Sequence, residues 1–244
     1  MRSGHHKSFM PSMDEIYEKH ASQYDELVLF EDHKKNLIRL LHSLVSWDDK
    51  IVIEAGIGTG RITNLYIEKV KRVYGLDRSS HMLERLKKNL NDDLKKIELR
   101  CADNLGLPKL PEKGDVFIEG WSFGHTVSDN ENDIERIADI LVNQALHMIK
   151  EDGVIIFIET LGSNSEIAKA PKECLSKFYS ILGTHYNFIR HEIGTDYKFP
   201  SVEEAARITG FFFGKDFGEK VLRAKKTTVP EWTGVWVLDK KNLL

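Results

Sequence analysis

With 244 residues, 41% of them hydrophobic and 30% charged, the chain has the size and composition of one soluble α/β domain, or of a core domain with a modest insertion. Its 35 Lys and Arg against 38 Asp and Glu leave a net charge of −3, which argues against holding a long nucleic-acid backbone by bulk charge. Two distant cysteines, Cys101 and Cys174, give neither a disulfide framework nor a zinc site and point to the reducing cytoplasm, and no apolar run reaches membrane-spanning length.

The N-terminal stretch Met1–Lys7 lacks a signal-peptide apolar segment, and its His5-His6 pair carries no functional weight. Residues 13–29 read as helical, and Asp32 to Val45 as an amphipathic helix with Leu37, Ile38, Leu41 and Leu44 on one face. Strands are then predicted at Lys50–Ala55, Val73–Asp77, Ile97–Ala102, Asp115–Glu119 and Val154–Thr160, with helices at Arg61–Val70, Ser80–Leu90 and Asn132–Ile149. This alternation predicts a parallel sheet with helices on both faces, and the continuously apolar Val116-Phe117-Ile118 and Ile155–Ile158 suit strands covered on both sides. Beyond Thr160 the pattern predicts a helix at Lys172–Leu182, extended chain over Tyr186–Phe199, a helix at Ser201–Gly210 and a terminal strand at Pro230–Asp239. Two stretches read as additions to the core: an N-terminal helical cap over 1–45, and a substrate-side insertion near 162–200 within a core of 46–244.

The stretch Ile51-Val52-Ile53-Glu54-Ala55-Gly56-Ile57-Gly58-Thr59-Gly60 carries the chemistry. A β-branched run breaks into alternating glycines, as a tight strand-to-helix turn that cradles a ligand requires. A nicotinamide-type loop places its third glycine one residue later, where this chain has Arg61. Glu54 before the loop would repel a pyrophosphate and accept an ammonium. Asp77, 77 − 56 = 21 residues after Gly56, ends the next strand where a carboxylate can take ribose hydroxyls.

With these residues the chain resembles the class I S-adenosylmethionine-dependent methyltransferases. Glu54-x-Gly56-x-Gly58-x-Gly60 matches the first motif of that family, and Asp77-Arg78-Ser79-Ser80-His81-Met82-Leu83-Glu84 is similar to its D-x-S-x-x-M-L-E second motif. Tyr17-x-x-x-Ala21-x-x-Tyr24-Asp25 resembles the entry segment of the ubiquinone-biosynthesis-like, small-molecule branch, which helps to cover the cofactor. The resemblance spans about residues 13 to 160 and implies a Rossmann-like, seven-stranded, mostly parallel sheet whose last strand is antiparallel, with Pro230–Asp239 as that strand. The sixth strand is either Tyr186–Phe199 or absent from it, that stretch then belonging to the insertion. It also implies S-adenosyl-L-methionine as cofactor, held by Tyr24, Glu54, Gly56, Ile57, Gly58, Thr59, Gly60, Asp77, Arg78, Met82, Asp103, Asn104, Glu119 and Gly120, with Asp103 near the adenine amino group.

Methyl transfer from a sulfonium is an in-line displacement in which positioning and exclusion of water supply most of the rate. A base is needed only for an acceptor that arrives protonated, and His125 is the candidate. Trp121 and Phe123 are candidate walls of an acceptor pocket, while His185, His191, Asp196 and Tyr197 read as solvated loop positions. The Phe211-Phe212-Phe213 cluster, Trp232 and Trp236 read as core packing.

After the fourth strand the chain has Glu119-Gly120-Trp121-Ser122 and no proline, unlike the [DNS]-P-P-[YFW] of enzymes that methylate amino groups of nucleic acid or glutamine. Glu159-Thr160 lacks the Asp-Asn pair of metal-dependent catechol-type enzymes. The expectation is therefore a metal-independent enzyme acting on a small-molecule O, N, S or C nucleophile, without a nucleic-acid or membrane partner. The alternatives are a non-catalytic cofactor- or partner-binding module of the same fold, and a nicotinamide oxidoreductase, which the glycine spacing opposes.

Overall fold

A computed structural model describes residues 13–243; His5, His6 and the side chain of Tyr17 lie outside the described residues. Seven strands form the main sheet: β1 (Ile51–Ala55), β2 (Arg72–Asp77), β3 (Ile97–Cys101), β4 (Gly114–Gly120), β5 (Ile149–Ser163), β6 (Ile189–Gly194) and β9 (Glu231–Asp239). Their order is β3-β2-β1-β4-β5-β9-β6. The first five run parallel, and β9 lies antiparallel between β5 and β6, with Phe157 opposite Trp236 and His191 opposite Val235. The expected antiparallel strand is thus Glu231–Asp239, and the sixth strand is Ile189–Gly194, within Tyr186–Phe199. A separate two-residue ladder joins β7 (Tyr197–Lys198) to β8 (Thr228–Val229).

Strand alternation divides the core between two faces. Ile53, Phe117, Ile155 and Phe157 face one side, covered by α5 (Phe123–Asp129), α6 (Ile134–Met148) and α7 (Glu173–Thr184). Helix α6 places Ile134, Ile137, Ala138, Leu141, Val142 and Ala145 on one buried stripe, the spacing of a 3.6-residue period. Val52, Val116, Ile118 and Ile156 face the other side, against α3 (Asn36–Leu44), α4 (Ser80–Leu90) and the segment after β1.

A third cluster stands apart from the sheet. Ile16 of α1 (Met13–Lys19) and Leu27 of α2 (Ala21–Val28) pack with Tyr197, Phe199, and with Ala205, Ile208 and Phe212 of α8 (Val202–Phe213) and Val221 of α9 (Lys215–Ala224). The N-terminal helices therefore share one hydrophobic layer with residues 195–230, the segment that leaves the sheet between β6 and β9. Residues 162–200, read from sequence as an insertion, run through α7, β6 and β7.

Several element assignments differ from the sequence reading. Arg61–Val70 has one 3₁₀ turn at Thr63–Leu65 and no α-helix. Its buried residues Ile62, Thr63, Tyr66, Ile67 and Val70 keep helical spacing, but Leu65 and Tyr66 bond back only three residues and Tyr66 adopts φ −139°. β-Branched residues and the side-chain bonds of Thr63 and Tyr66 described below compete with the regular ladder there. The helix over 13–29 breaks at His20. Helix α3 begins at Asn36 because the Asp32 carboxylate accepts from the Asn36 and Leu37 amides at 2.7 and 2.9 Å, satisfying its first free N–H groups. Helices α5 and α9 were not anticipated.

Helices α8 and α9 meet backbone to backbone at Gly218, where an added Cβ would lie 2.5 Å from the Ala206 carbonyl oxygen and 2.9 Å from Gly210 Cα. Gly218→Ala forces the two helices apart. The expected cost is about 1–3 kcal/mol in urea unfolding, with the loss of amide protection concentrated in α8 and α9.

Candidate active site

The carboxyl ends of β1, β2 and β4 open onto one cleft of about 650 Å³, mouth included, lined by Tyr24, Gly56, Gly58, Asp77, Arg78, Ser79, Met82, Asp103, Asn104, Gly120, Trp121, Ser122, His125 and Thr126. This is the crevice where ligands of open α/β sheets bind. Gly56 and Gly58 adopt φ +63° and +55°, and at Gly56 a Cβ would lie 2.1 Å from Ser122 Oγ, so the turn admits only glycine there. Asp77 locks the turn: its Oδ2 accepts from the Gly58 amide at 2.8 Å and its Oδ1 from the Ser79 amide at 2.8 Å. Each carboxylate oxygen keeps a second lone pair for a donor arriving in the cleft. Burial raises the Asp77 pKa, opposed by these two amide bonds.

Asn104 spans the cleft floor, donating to Ser122 Oγ at 2.8 Å and Thr126 Oγ1 at 3.0 Å, while Gln144 Nε2 donates to its carbonyl at 2.7 Å. Asp103 Oδ1 accepts from the Leu105 amide at 2.8 Å. Trp121 is held at φ +53°, a region costly for a bulky side chain, with its amide donating to the Ile158 carbonyl at 2.7 Å.

Behind Trp121 sits Arg61, the residue that replaces the third nicotinamide-type glycine. Its guanidinium carbon lies 3.4 Å above the Trp121 ring centroid, it pairs with Glu31, and its Nη1 donates to Tyr24 Oη at 3.4 Å. Burial works against the Arg61 charge, and Glu31 together with Tyr24 and Tyr197 more than offsets it, so its pKa is raised. One buried cation thus ties the glycine loop to the N-terminal segment and to the loop after β4. A second tie runs from Arg85 of α4, which donates to Asp25 Oδ2 at 2.7 Å.

Of the cofactor residues read from sequence, the cleft gathers Tyr24, Gly56, Gly58, Asp77, Arg78, Met82, Asp103, Asn104 and Gly120, together with His125. It does not gather Glu54, Ile57, Thr59, Gly60 or Glu119. Glu54 is turned beneath the loop, its Oε2 accepting from Thr63 Oγ1 at 2.7 Å and from Tyr66 Oη. Burial pushes its pKa up to about 7, against those two hydrogen bonds. Ile57 fills the space above Gly75, Gly60 packs on Leu86 and Leu90, and the Thr59 carbonyl accepts from Asn89 at 3.1 Å. Glu119 lies under α5, where its Oε2 accepts from the Ser122 and Phe123 amides.

Phe123 is no pocket wall; it is fully buried against Phe157, ring centroids 5.0 Å apart. Tyr197 is buried in the third cluster, and Asp196 Oδ1 accepts from the Glu231 amide at 3.2 Å, so neither is a solvated loop residue. Thr126 lines the cleft without having been singled out, because only the helical turn of α5 brings it beside Ser122.

Comparison with known proteins matches this arrangement. Residues 52–144, from β1 into α6, match the family model of a methyltransferase domain. An uncharacterised methyltransferase of Anoxybacillus flavithermus is 28% identical over 162 residues, covering 64% of this chain and 71% of the relative. In fold, the YcgJ protein of Bacillus subtilis aligns with a TM-score of 0.56 at 10% identity, over 82% of this chain and 95% of that one. DhpI in complex with SAM and HEP aligns with a TM-score of 0.53 at 14% identity, over 91% and 94%. Together these matches support a class I S-adenosylmethionine-dependent methyltransferase. The cleft fits that cofactor: two glycines at positive φ, the first with no room for a Cβ, and a carboxylate locked beside them with lone pairs to spare.

Glu231, which accepts from Thr160 Oγ1 at 3.3 Å, has its pKa pushed up to about 8 by burial, with Glu31 adding and Arg61 opposing. A carboxyl pKa raised on folding gives stability that is complete below the unfolded value of about 4.5 and lost as pH rises through the folded one. Glu231→Gln is therefore expected to match the parent near pH 5 and to exceed it near pH 9 by about 1–3 kcal/mol. Chemical denaturation at the two pH values checks this.

Proposed function

We propose that this methyltransferase acts on a small-molecule O, N, S or C nucleophile, which approaches over the segment Gly120–His125. The observation that supports it most is the convergence of the glycine turn, Asp77 and Asp103 with Trp121, Ser122 and His125 around a single narrow cleft. The excess of acid over base and the absence of a proline-rich motif after β4 favour a small molecule over nucleic acid. Cys101 and Cys174 are both free, and no described helix is long and apolar enough to cross a membrane, in keeping with a cytoplasmic setting.

In this reading Asp77 takes the ribose hydroxyls, Asp103 the adenine amino group, and Met82 and Tyr24 pack against the cofactor. S-adenosylmethionine supplies an activated methyl group on a sulfonium. The protein holds the acceptor in line with that methyl, excludes water, and through His125 takes the proton of an acceptor that arrives protonated. Residues 1–45 act as a cap over the core 46–244; within the described residues the cap shares its hydrophobic layer with α8 and α9 and is tied down by Arg61 and Arg85.

Asp77→Ala is expected to weaken S-adenosylhomocysteine binding by roughly 1–3 kcal/mol, the range for hydrogen bonds to a charged group. Unchanged affinity by calorimetry would remove Asp77 from the cofactor site. His125→Ala should lower turnover of labelled cofactor with an acceptor pool by about 10²-fold or more, with cofactor affinity within a few-fold; full activity would return His125 to a structural role.

A further inference from the structure

Strand β6 is an edge of the main sheet, paired on one side only, with β9. Its other side is half covered. Residues 30–36 run along the C-terminal end: the Phe30 carbonyl accepts from the Lys198 amide, and the Asp32 and His33 amides donate to the Thr195 and Asp196 carbonyls. Asn36 Nδ2 donates to the Gly194 carbonyl at 2.7 Å, and the cover ends there. Among the described residues, no hydrogen bond outside the β9 ladder reaches the backbone of residues 189–193.

Edge strands are usually blunted by Lys or another unpaired charge, by Pro, by a bulge or by a covering segment. The open half of β6 reads Ile189-Arg190-His191-Glu192-Ile193, in unbroken register with β9. Ile189 is 63% exposed, a large apolar side chain left in water. The two charges are of opposite sign and share one face of the strand. Arg190 lies over the Trp236 ring and pairs with Glu192 at 2.7 Å, and both side chains remain more than one third exposed. Each keeps hydrogen-bonding capacity beyond that pair.

An edge that joins its own copy antiparallel does so about a two-fold axis normal to the sheet, so facing residues lie on the same face of the strand. Centred on Arg190 or on Glu192, the pairing sets like charges opposite each other, which is destabilising. Centred on His191, it engages all five open residues. Arg190 then faces Glu192 of the second copy twice, Ile189 faces Ile193 twice, and His191 meets its own copy. The charge pattern is thus self-complementary in one register.

We propose that the chain forms a two-fold dimer through β6, its two sheets joined antiparallel over residues 189–193 in the register centred on His191. β9, β5 and β4 lie between this edge and β1, so both clefts stay open and the dimer stands independently of the function proposed above.

Sedimentation velocity of the full chain at about pH 8, from about 1 to about 100 µM, tests this. The parent is expected to pass from monomer to dimer with rising concentration. Arg190→Glu, which sets acid against acid, and Glu192→Arg, which sets base against base, should each weaken the dimer by about tenfold or more. An equimolar mixture of these two variants should recover the dimer, because one chain then carries acids at both positions and the other carries bases. Ile189→Lys, at an exposed position that the fold does not need, should weaken the dimer without rescue by either variant. A parent that stays monomeric throughout would overturn the proposal. So would a dimer that these substitutions leave unchanged, or a mixture no more associated than its components.

Discussion

The chain leaves β1 towards β2 and β3 on one side and returns on the other side of β1 as β4, so β1 pairs in parallel with both β2 and β4. At that parting of directions no crossover covers the carboxyl ends of the strands, and the sheet opens a crevice. Everything that bears on function is attached to its rim. The glycine turn rises from β1, Asp77 from β2, and the Trp121 segment from β4. The turn is held from both flanks, by Asp77 through the Gly58 amide and by Ser122, which packs where a Gly56 side chain would be. Displacing one flank therefore displaces the other.

Charge inside the molecule follows one logic. Glu31, Glu54, Glu119, Glu159 and Glu231 are withdrawn from water around the ends of the strands, and the buried cation Arg61 pairs with Glu31 and acts on Glu231. A buried ion pair gains little net stability, because desolvation of both charges consumes most of the attraction. Its geometry is specific, however. Arg61 reaches Glu31, Tyr24 and Trp121 at once, which ties the N-terminal helices to the glycine loop. The remaining carboxylates accept from hydroxyls and backbone N–H groups, while Glu119 Oε1 and Glu231 Oε2 are buried with no partner among the described residues. They cap, orient and space the loops they touch, at a cost that rises with pH.

The glycine turn and the strand-end carboxylate that line the cleft were legible in the sequence because their determinants are local. Gly56, Gly58 and Asp77 lie within a single strand–turn–strand unit, where positive φ and a strand-end carboxylate leave a compositional trace. The parallel strands were legible for the same reason, since βαβ units alternate strand and helix along the sequence. Arg61–Val70 was read as a helix from its spacing, which the structure keeps, while the hydrogen bonding was decided by Thr63 and Tyr66 reaching Glu54. Helix α5 has weak intrinsic propensity, and it forms where two carboxylates from different strands meet its first N–H groups.

The sequence by itself determined the fold class, the cofactor and the glycine turn after β1, because strand periodicity, glycine φ and motif spacing act over a few residues. Tertiary structure alone decided that Glu54 and Glu119 support the cleft from beneath, that Phe123 belongs to the core, and that the N-terminal helices share a layer with residues 195–230. Each of these depends on which side of a strand a residue faces and on which distant element covers it. Such partners lie tens to hundreds of residues away, and packing selects among them only once the whole sheet has formed.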